Sequence, residues 1–303
     1  MKFRIVACLA LTSTLAGCQS TTPRARFQAP ADARAAVARV NGNLRKIDGP
    51  IQARDAIATF RYSNSTGQRI GFVAYPAAIQ FQPPQTLIFE IRSPLGPPIA
   101  EVGSNDTEYW VWTDVPDLRK LWIGTWSAQR GGRAKTLPLP PDQLLDALLL
   151  REMPVQVEGG IPPVLVEESG GVMGGGPRKR LVYQAMDPRG WPYVAREARL
   201  SPKSPYLPEE LIEYDRNGEV VMRAQFSGYA PLDGASGDPA WICRSLVVEW
   251  PRDKAELRLD LGTVKLRKRE VIAETPQRWG GEIEPLDLPV GIEPDRESRV
   301  TPQ

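Results

Sequence analysis

The chain has 303 residues, three cysteines, no histidine, and 38 Lys/Arg against 36 Asp/Glu for a net charge of +2. The missing histidine removes Ser-His-Asp and Cys-His nucleophilic machinery, His-ligated zinc and the HExxH helix together. Scattered, nearly balanced charge gives no case for nucleic acid, and 30 prolines with 26 glycines point to many turns and few long helices.

Residues 1–17 read as a signal peptide and stand outside the fold. Lys2 and Arg4 supply the positive start and Ile5 to Leu15 the apolar stretch, which is too short to span a bilayer. Leu15-Ala16-Gly17-Cys18 then has the small-residue cleavage pattern, ending in Cys, of a bacterial lipoprotein. Cys18 is thus the expected lipid attachment site, and acyl chains at about 0.8 kcal/mol per buried CH₂ make a firm membrane anchor. An Asp after the Cys would signal inner-membrane retention; Gln19 permits the outer membrane, facing the periplasm. Cys8 leaves with the signal, Cys243 has no partner, and no disulfide framework or cofactor motif is expected. Residues 18–30 form a polar, flexible tether.

Ala31 to Ile47 places Val37, Val40, Leu44 and Ile47 at helical spacing, with Arg34, Arg39, Arg45 and Lys46 largely off the stripe. This predicts an amphipathic helix packed on a sheet. Strands are expected over Ile51–Tyr62, Arg69–Tyr75, Ala78–Gln82 and Thr86–Arg92, then Ile99–Val102 and Tyr109–Thr113, with Leu118–Trp126 after them. Four tryptophans fall between Trp110 and Trp126, as core and rim residues or as a platform for a sugar or apolar ligand. Asp114 and Asp117 beside them are a carboxylate pair of the kind glycosidases use, although surface loops are rich in such pairs. The chain is expected not to be an enzyme.

Pro140-Pro141-Asp142-Gln143 followed by LLDALLL predicts a second helix, Asp142–Leu150, ended by Met153-Pro154 and carrying an apolar stripe with Leu144 and Leu148. It must plug a core or close a cavity. Gly159 to Pro177 is glycine-rich without the Gly-Lys-Ser/Thr of a phosphate loop, and reads as a mobile hairpin connection. Strands resume at Leu181–Met186, Tyr193–Leu200, Glu209–Tyr214, Glu219–Ala230, Trp241–Trp250 and Ala255–Gly262. In the last two, Leu246 and Val248 share one face, as do Leu257, Leu259 and Leu261. Residues 274–303 turn acidic and proline-rich, with the composition of a disordered tail.

The stretch Gln85–Gly103 organises the rest. Leu87, Phe89 and Ile91 alternate with polar residues, Ser93-Pro94-Leu95-Gly96-Pro97-Pro98 turns, and apolar residues resume at Ile99. A Leu at such a tip either folds back as a core plug or protrudes towards a membrane or greasy ligand. SPLGPPIAEVG after an amphipathic strand resembles the strand–Pro-Leu-Gly–strand unit of the LolB outer-membrane lipoprotein receptors in the LolA/LolB superfamily. The later Asn217-Gly218, Gly228-Tyr229, Pro239-Ala240 and LRLDLGTVKL resemble that superfamily's carboxy-terminal sheet. The resemblance, over about 44–266, implies that Leu95 protrudes and serves in delivering acylated proteins, with Pro94 and Gly96 shaping its loop.

The expected fold is therefore mainly β (α+β): a strongly curved, incomplete antiparallel barrel over 31–273, with helices covering its concave face. Candidate cavity-lining residues are Leu87, Phe89, Ile91, Trp110, Trp112, Leu144, Leu148, Leu246, Val248, Leu257, Leu259 and Leu261. The expected activity is binding of acyl chains such as palmitate or of lipoproteins by a membrane-anchored monomer. A palmitate-sized chain is worth roughly 12 kcal/mol when buried, so only a large apolar cavity competes with a bilayer for it. The alternative is an envelope lipoprotein on the same fold that binds protein or cell-wall polymer without transfer. A dry, filled interior would favour that alternative.

Overall fold

A computed structural model describes residues 29–63, 67–114, 119–130, 141–157, 160–168, 178–233, 238–275 and 282–287. Cys18, the signal peptide and most of the tether lie outside these residues, as does much of the glycine-rich stretch.

Helix α1, Ala33–Leu44, starts at Asp32, whose carboxylate accepts from the Ala35 backbone N–H at 2.7 Å. Ala36, Val37 and Val40 are buried with Asn41. The Asn41 amide is matched on both sides, donating to Met153 O at 2.9 Å and accepting from Met153 N at 2.8 Å. Asn43 makes the same paired contact with Trp241, at 2.8 and 2.7 Å.

The strands follow in chain order: β1 Ile51–Ser63, β2 Arg69–Gln82, β3 Thr86–Arg92, β4 Pro98–Ser104, β5 Glu108–Thr113 and β6 Lys120–Thr125. Two short helices interrupt them, α2 Trp126–Arg130 and α3 Pro141–Ala147. Then come β7 Ile161–Glu168, β8 Arg178–Met186, β9 Pro192–Leu200, β10 Pro208–Tyr214, β11 Val220–Ser227, β12 Ala230–Pro231, β13 Trp241–Ile242, β14 Ser245–Trp250, β15 Ala255–Asp260, β16 Val264–Leu266 and β17 Glu282–Pro285.

Fifteen of these strands form one open sheet, ordered β17-β6-β5-β4-β3-β2-β1-β15-β14-β11-β10-β9-β8-β7, with β16 also paired to β1. Apart from β17 beside β6 and the longer connection from β11 to β14, its two halves are chains of local hairpins. They meet where β1 pairs with β15, Ile57 opposite Asp260 and Arg61 opposite Glu256. The period-2 burial of β3 (Leu87, Phe89, Ile91) and β15 (Ala255, Leu257, Leu259) puts one face of both halves into a single core with α1 and α3.

Several expectations are corrected. Arg69–Gln82 is one strand, its two predicted pieces joined through Pro76 and Ala77, which pair with Ile57 and Ala56 of β1; within it Ala74 takes φ 55 and its N–H donates to Thr59 Oγ1 at 3.0 Å. Residues 161–168 of the expected mobile connection are strand β7; Pro162 and Pro163 are tolerated there because β7 is a sheet edge. The tail is not disordered throughout: β17 pairs with β6, and it does so in parallel, so the sheet is not purely antiparallel. Leu286 just beyond it is buried, and the Asp287 carboxylate accepts from Thr125 N at 2.9 Å and Thr125 Oγ1 at 2.7 Å. The second helix is shorter than predicted. It ends at Ala147 because Leu149 takes φ 53, with Leu150 N donating back to Leu145 O at 3.0 Å in a Schellman-like closure.

Candidate functional site

Strands β3 and β4 pair from Leu87 opposite Ser104 to Arg92 opposite Pro98. The turn between them is closed by Ser93 N donating to Pro97 O at 3.1 Å and Gly96 N donating to Ser93 O at 3.2 Å. Pro94 and Gly96 are exposed, and Leu95 is 100 % exposed. Leu95 therefore does not fold back as a core plug.

Ten of the candidate lining residues do converge. Leu87, Phe89, Ile91, Leu144, Leu246, Val248, Leu257, Leu259 and Leu261 are buried in one core cluster, with Leu148 packed against it. Trp110 and Trp112 do not join them. They pack on the opposite face with Leu121 and Ala273, while Tyr109 and Trp126 face the main core with ring centroids 4.8 Å apart. Trp122 also packs against the main core, so the tryptophans divide between the two sides of the sheet and form no single platform. Both faces are apolar here because both are covered.

Among the described residues the main core is filled. Leu144, Leu145 and Ala147 of α3, with Leu150 and Met153 after it, occupy the space a ligand would need. A cavity between Ile51, Ala53, Ile79, Leu148, Leu150, Ile242, Leu261 and Val264 measures about 20 Å³, room for one water and no acyl chain.

A polar row missed in the sequence crosses this interior. Tyr183, Arg196 and Glu213 are directly opposed on β8, β9 and β10. The Arg196 guanidinium bonds Glu213 and reaches up to Asp146 of α3 at 2.6 Å. Burial works against the Arg196 charge, and the carboxylates of Glu213 and Asp146 overcome it, raising its pKa. Burial also pushes the Tyr183 hydroxyl up to about 12 and raises the Asp142 carboxyl above its ordinary range. Trp250 Nε1 donates to Gln143 Oε1 at 2.9 Å, a further tie between α3 and the sheet. The available signal was Arg196 on the same strand parity as Ala198 and Leu200, a charge in an apolar register.

Asp114 is bound to Arg119 at 2.6 Å, and Asp117 lies outside the described residues. Cys243 is buried, its thiol donates to Ser245 O at 2.9 Å, and burial pushes its pKa up to about 11. Among the described residues no group of three or more His, Cys, Asp or Glu is placed to hold a metal ion, and no helix is long and apolar enough to cross a membrane.

No family model and no curated protein matches the sequence. Solved structures do show similarity. One is a domain from Vibrio parahaemolyticus provisionally named an outer membrane lipoprotein-sorting protein, at 12 % identity and TM-score 0.49 over 78 % of this chain and 94 % of that one. A DUF1329 family protein from Desulfovibrio piger is similar at 14 % identity and TM-score 0.48, over 80 % and 96 % of the two chains. A LolA superfamily protein from Nitrosomonas europaea gives 13 % identity and TM-score 0.42, over 76 % and 94 %.

Proposed function

We propose that this chain is a lipid-anchored bacterial envelope protein, not an enzyme, that binds an acyl chain or another hydrophobic ligand on the α3 side of its sheet. The observation that carries the proposal is Leu95, fully exposed at the tip of a rigidly closed hairpin whose strands line the core below it. A half-barrel shape is supported by the reach of α3. The helix has seven residues, yet it lies against β4 and β5 on one side and β11 on the other. Six strand steps separate β4 from β11, about 29 Å on a flat sheet at 4.8 Å per strand. A helix about 10–12 Å across meets both only where the sheet bends round it.

In this reading the filled interior is the ligand-free form, and α3 gives way to the acyl chain. Leu95 then offers that chain a path towards the membrane in which Cys18 is anchored, placing the protein at the outer membrane facing the periplasm. The second reading, an envelope lipoprotein that binds protein or cell-wall polymer without transfer, is favoured by the 20 Å³ cavity. Binding of a fluorescent acylated peptide to the full chain, followed by its release to vesicles, decides between them. The first reading expects saturable binding, and Leu95→Glu that binds equally but releases about tenfold more slowly, equivalent to about 1.4 kcal/mol. No binding at all leaves the second reading.

A further inference from the structure

Taking β3 as running upwards to Arg92, the antiparallel pairing brings the turns 93–97, 187–191, 215–219 and 251–254 to the same upper end of the sheet. Two of these turns hold out a large apolar side chain. One carries Leu95. The other carries Trp191, 71 % exposed, next to Met186 at 43 %.

The Trp191 turn is built to stay in place. Asp187 Oδ1 accepts from the backbone N–H groups of Arg189 and Trp191, each at 2.8 Å. Asp187 N donates to Trp191 O at 2.9 Å, and Gly190 supplies the left-handed backbone (φ 82) that the turn requires. Leaving an indole in water on a fixed turn forgoes a large burial gain. Seven strand steps separate β3 from β9, and polar turns lie between the two tips. At the same end a cleft of about 430 Å³ is lined by Arg61, Arg69 and Lys254 together with Glu249 and Glu256.

We infer that this upper end is a docking face for a lipid bilayer, with Trp191 as a second contact point, separate from Leu95, seated at the headgroup–acyl boundary. Isolated apolar side chains set among polar turns make no contiguous patch of the kind a protein interface needs at its centre. A bilayer accepts such single insertions, and tryptophan favours its interface. The cationic side chains between the tips fall at the level of lipid phosphates. The inference rests on the membrane-facing reading of Leu95 and adds a partner for the opposite half of the sheet.

The test uses the full chain in vesicles of phosphatidylethanolamine and phosphatidylglycerol, some carrying brominated acyl chains. Brominated lipid should quench part of the tryptophan emission, and Trp191→Phe should remove most of that quenching while keeping the wild-type melting temperature. In parallel, Leu95→Cys carrying an environment-sensitive fluorophore should shift to the emission of an apolar medium. Its labelling is selective because Cys243 is buried and because, in this reading, the Cys18 sulfur is already taken up in the lipid thioether. A lipid-exposed Leu95 probe with no Trp191-dependent quenching overturns the inference and leaves the Leu95 reading standing. Quenching through Trp191 with the Leu95 probe in water overturns the Leu95 reading and the two-point docking with it. Neither signal removes both.

Discussion

Leu95 and Arg196 are opposite cases of a side chain that breaks the local pattern. Leu95 is apolar among turn formers and fully exposed, so Leu95→Glu buries no charge and should shift the unfolding midpoint negligibly by calorimetry. A loss of several kcal/mol would mean that the side chain is buried after all. Arg196 is a charge in an otherwise apolar strand register, its side chain 16 % exposed between two carboxylates. Arg196→Ala should cost about 3–5 kcal/mol in urea unfolding, because Asp146 and Glu213 are left without it. Asp142 adds a pH dependence of known sign. Its pKa is raised in the fold by burial, so the folded state holds the proton more tightly. Its contribution is fully present below the unfolded Asp value of about 4 and is lost as pH rises through the raised folded value. Asp142→Asn should therefore flatten the stability profile above about pH 4. The turn that holds Leu95 was legible from Pro and Gly, whereas the role of Arg196 depended on the register of its hairpin partners β8 and β10 and on α3, 50 residues away in sequence.

Among the elements, β3 was read to the residue because its alternation runs uninterrupted from Leu87 to Ile91. Strand β7 was hidden by two prolines that only an edge tolerates, and β17 by a tail whose composition resembles disordered segments. Period 2 puts Trp110 and Trp112 on a common face but does not say which face is the inner one. The pairing of β4 with β5 depends on space opened at Gly103, opposite Trp110, where an added Cβ would sit 2.2 Å from the indole ring. Gly103→Ala should destabilise by about 1–3 kcal/mol through overpacking, read by thermal or urea unfolding. Seven residues are too few for α3 to be stable alone, so its leucines and its polar ties to Trp250 and Arg196 hold it. Leu144→Ala should cost about 2–5 kcal/mol in the same assay.

For the molecule as a whole, one core cluster runs from α1 through both halves of the sheet. Far-UV circular dichroism and tryptophan emission should accordingly report one coincident unfolding transition, and two separated transitions would mean that the halves fold independently. At this scale the sequence also predicts the anchor. Metabolic labelling with a fatty-acid analogue should mark the wild type and not Cys18→Ser, and equal labelling of both would defeat the assignment. The mainly β class could be read from alternation and turn spacing, but the order of strands could not, since β1 takes as its neighbour a strand that alternation alone does not select.

That seam gives the molecule a history as well as a shape. β1 acquires β2 almost at once, but its other edge waits for β15, roughly two hundred residues later. At 5–20 residues per second the wait is about 10–40 s. Throughout it the newborn amino-terminal half presents an unpaired strand edge with Phe60 beside it, ready to join the wrong neighbour. A pause in delivery before Ala255 therefore leaves that edge open longest, and this is when the chain should be most susceptible to proteases and to aggregation.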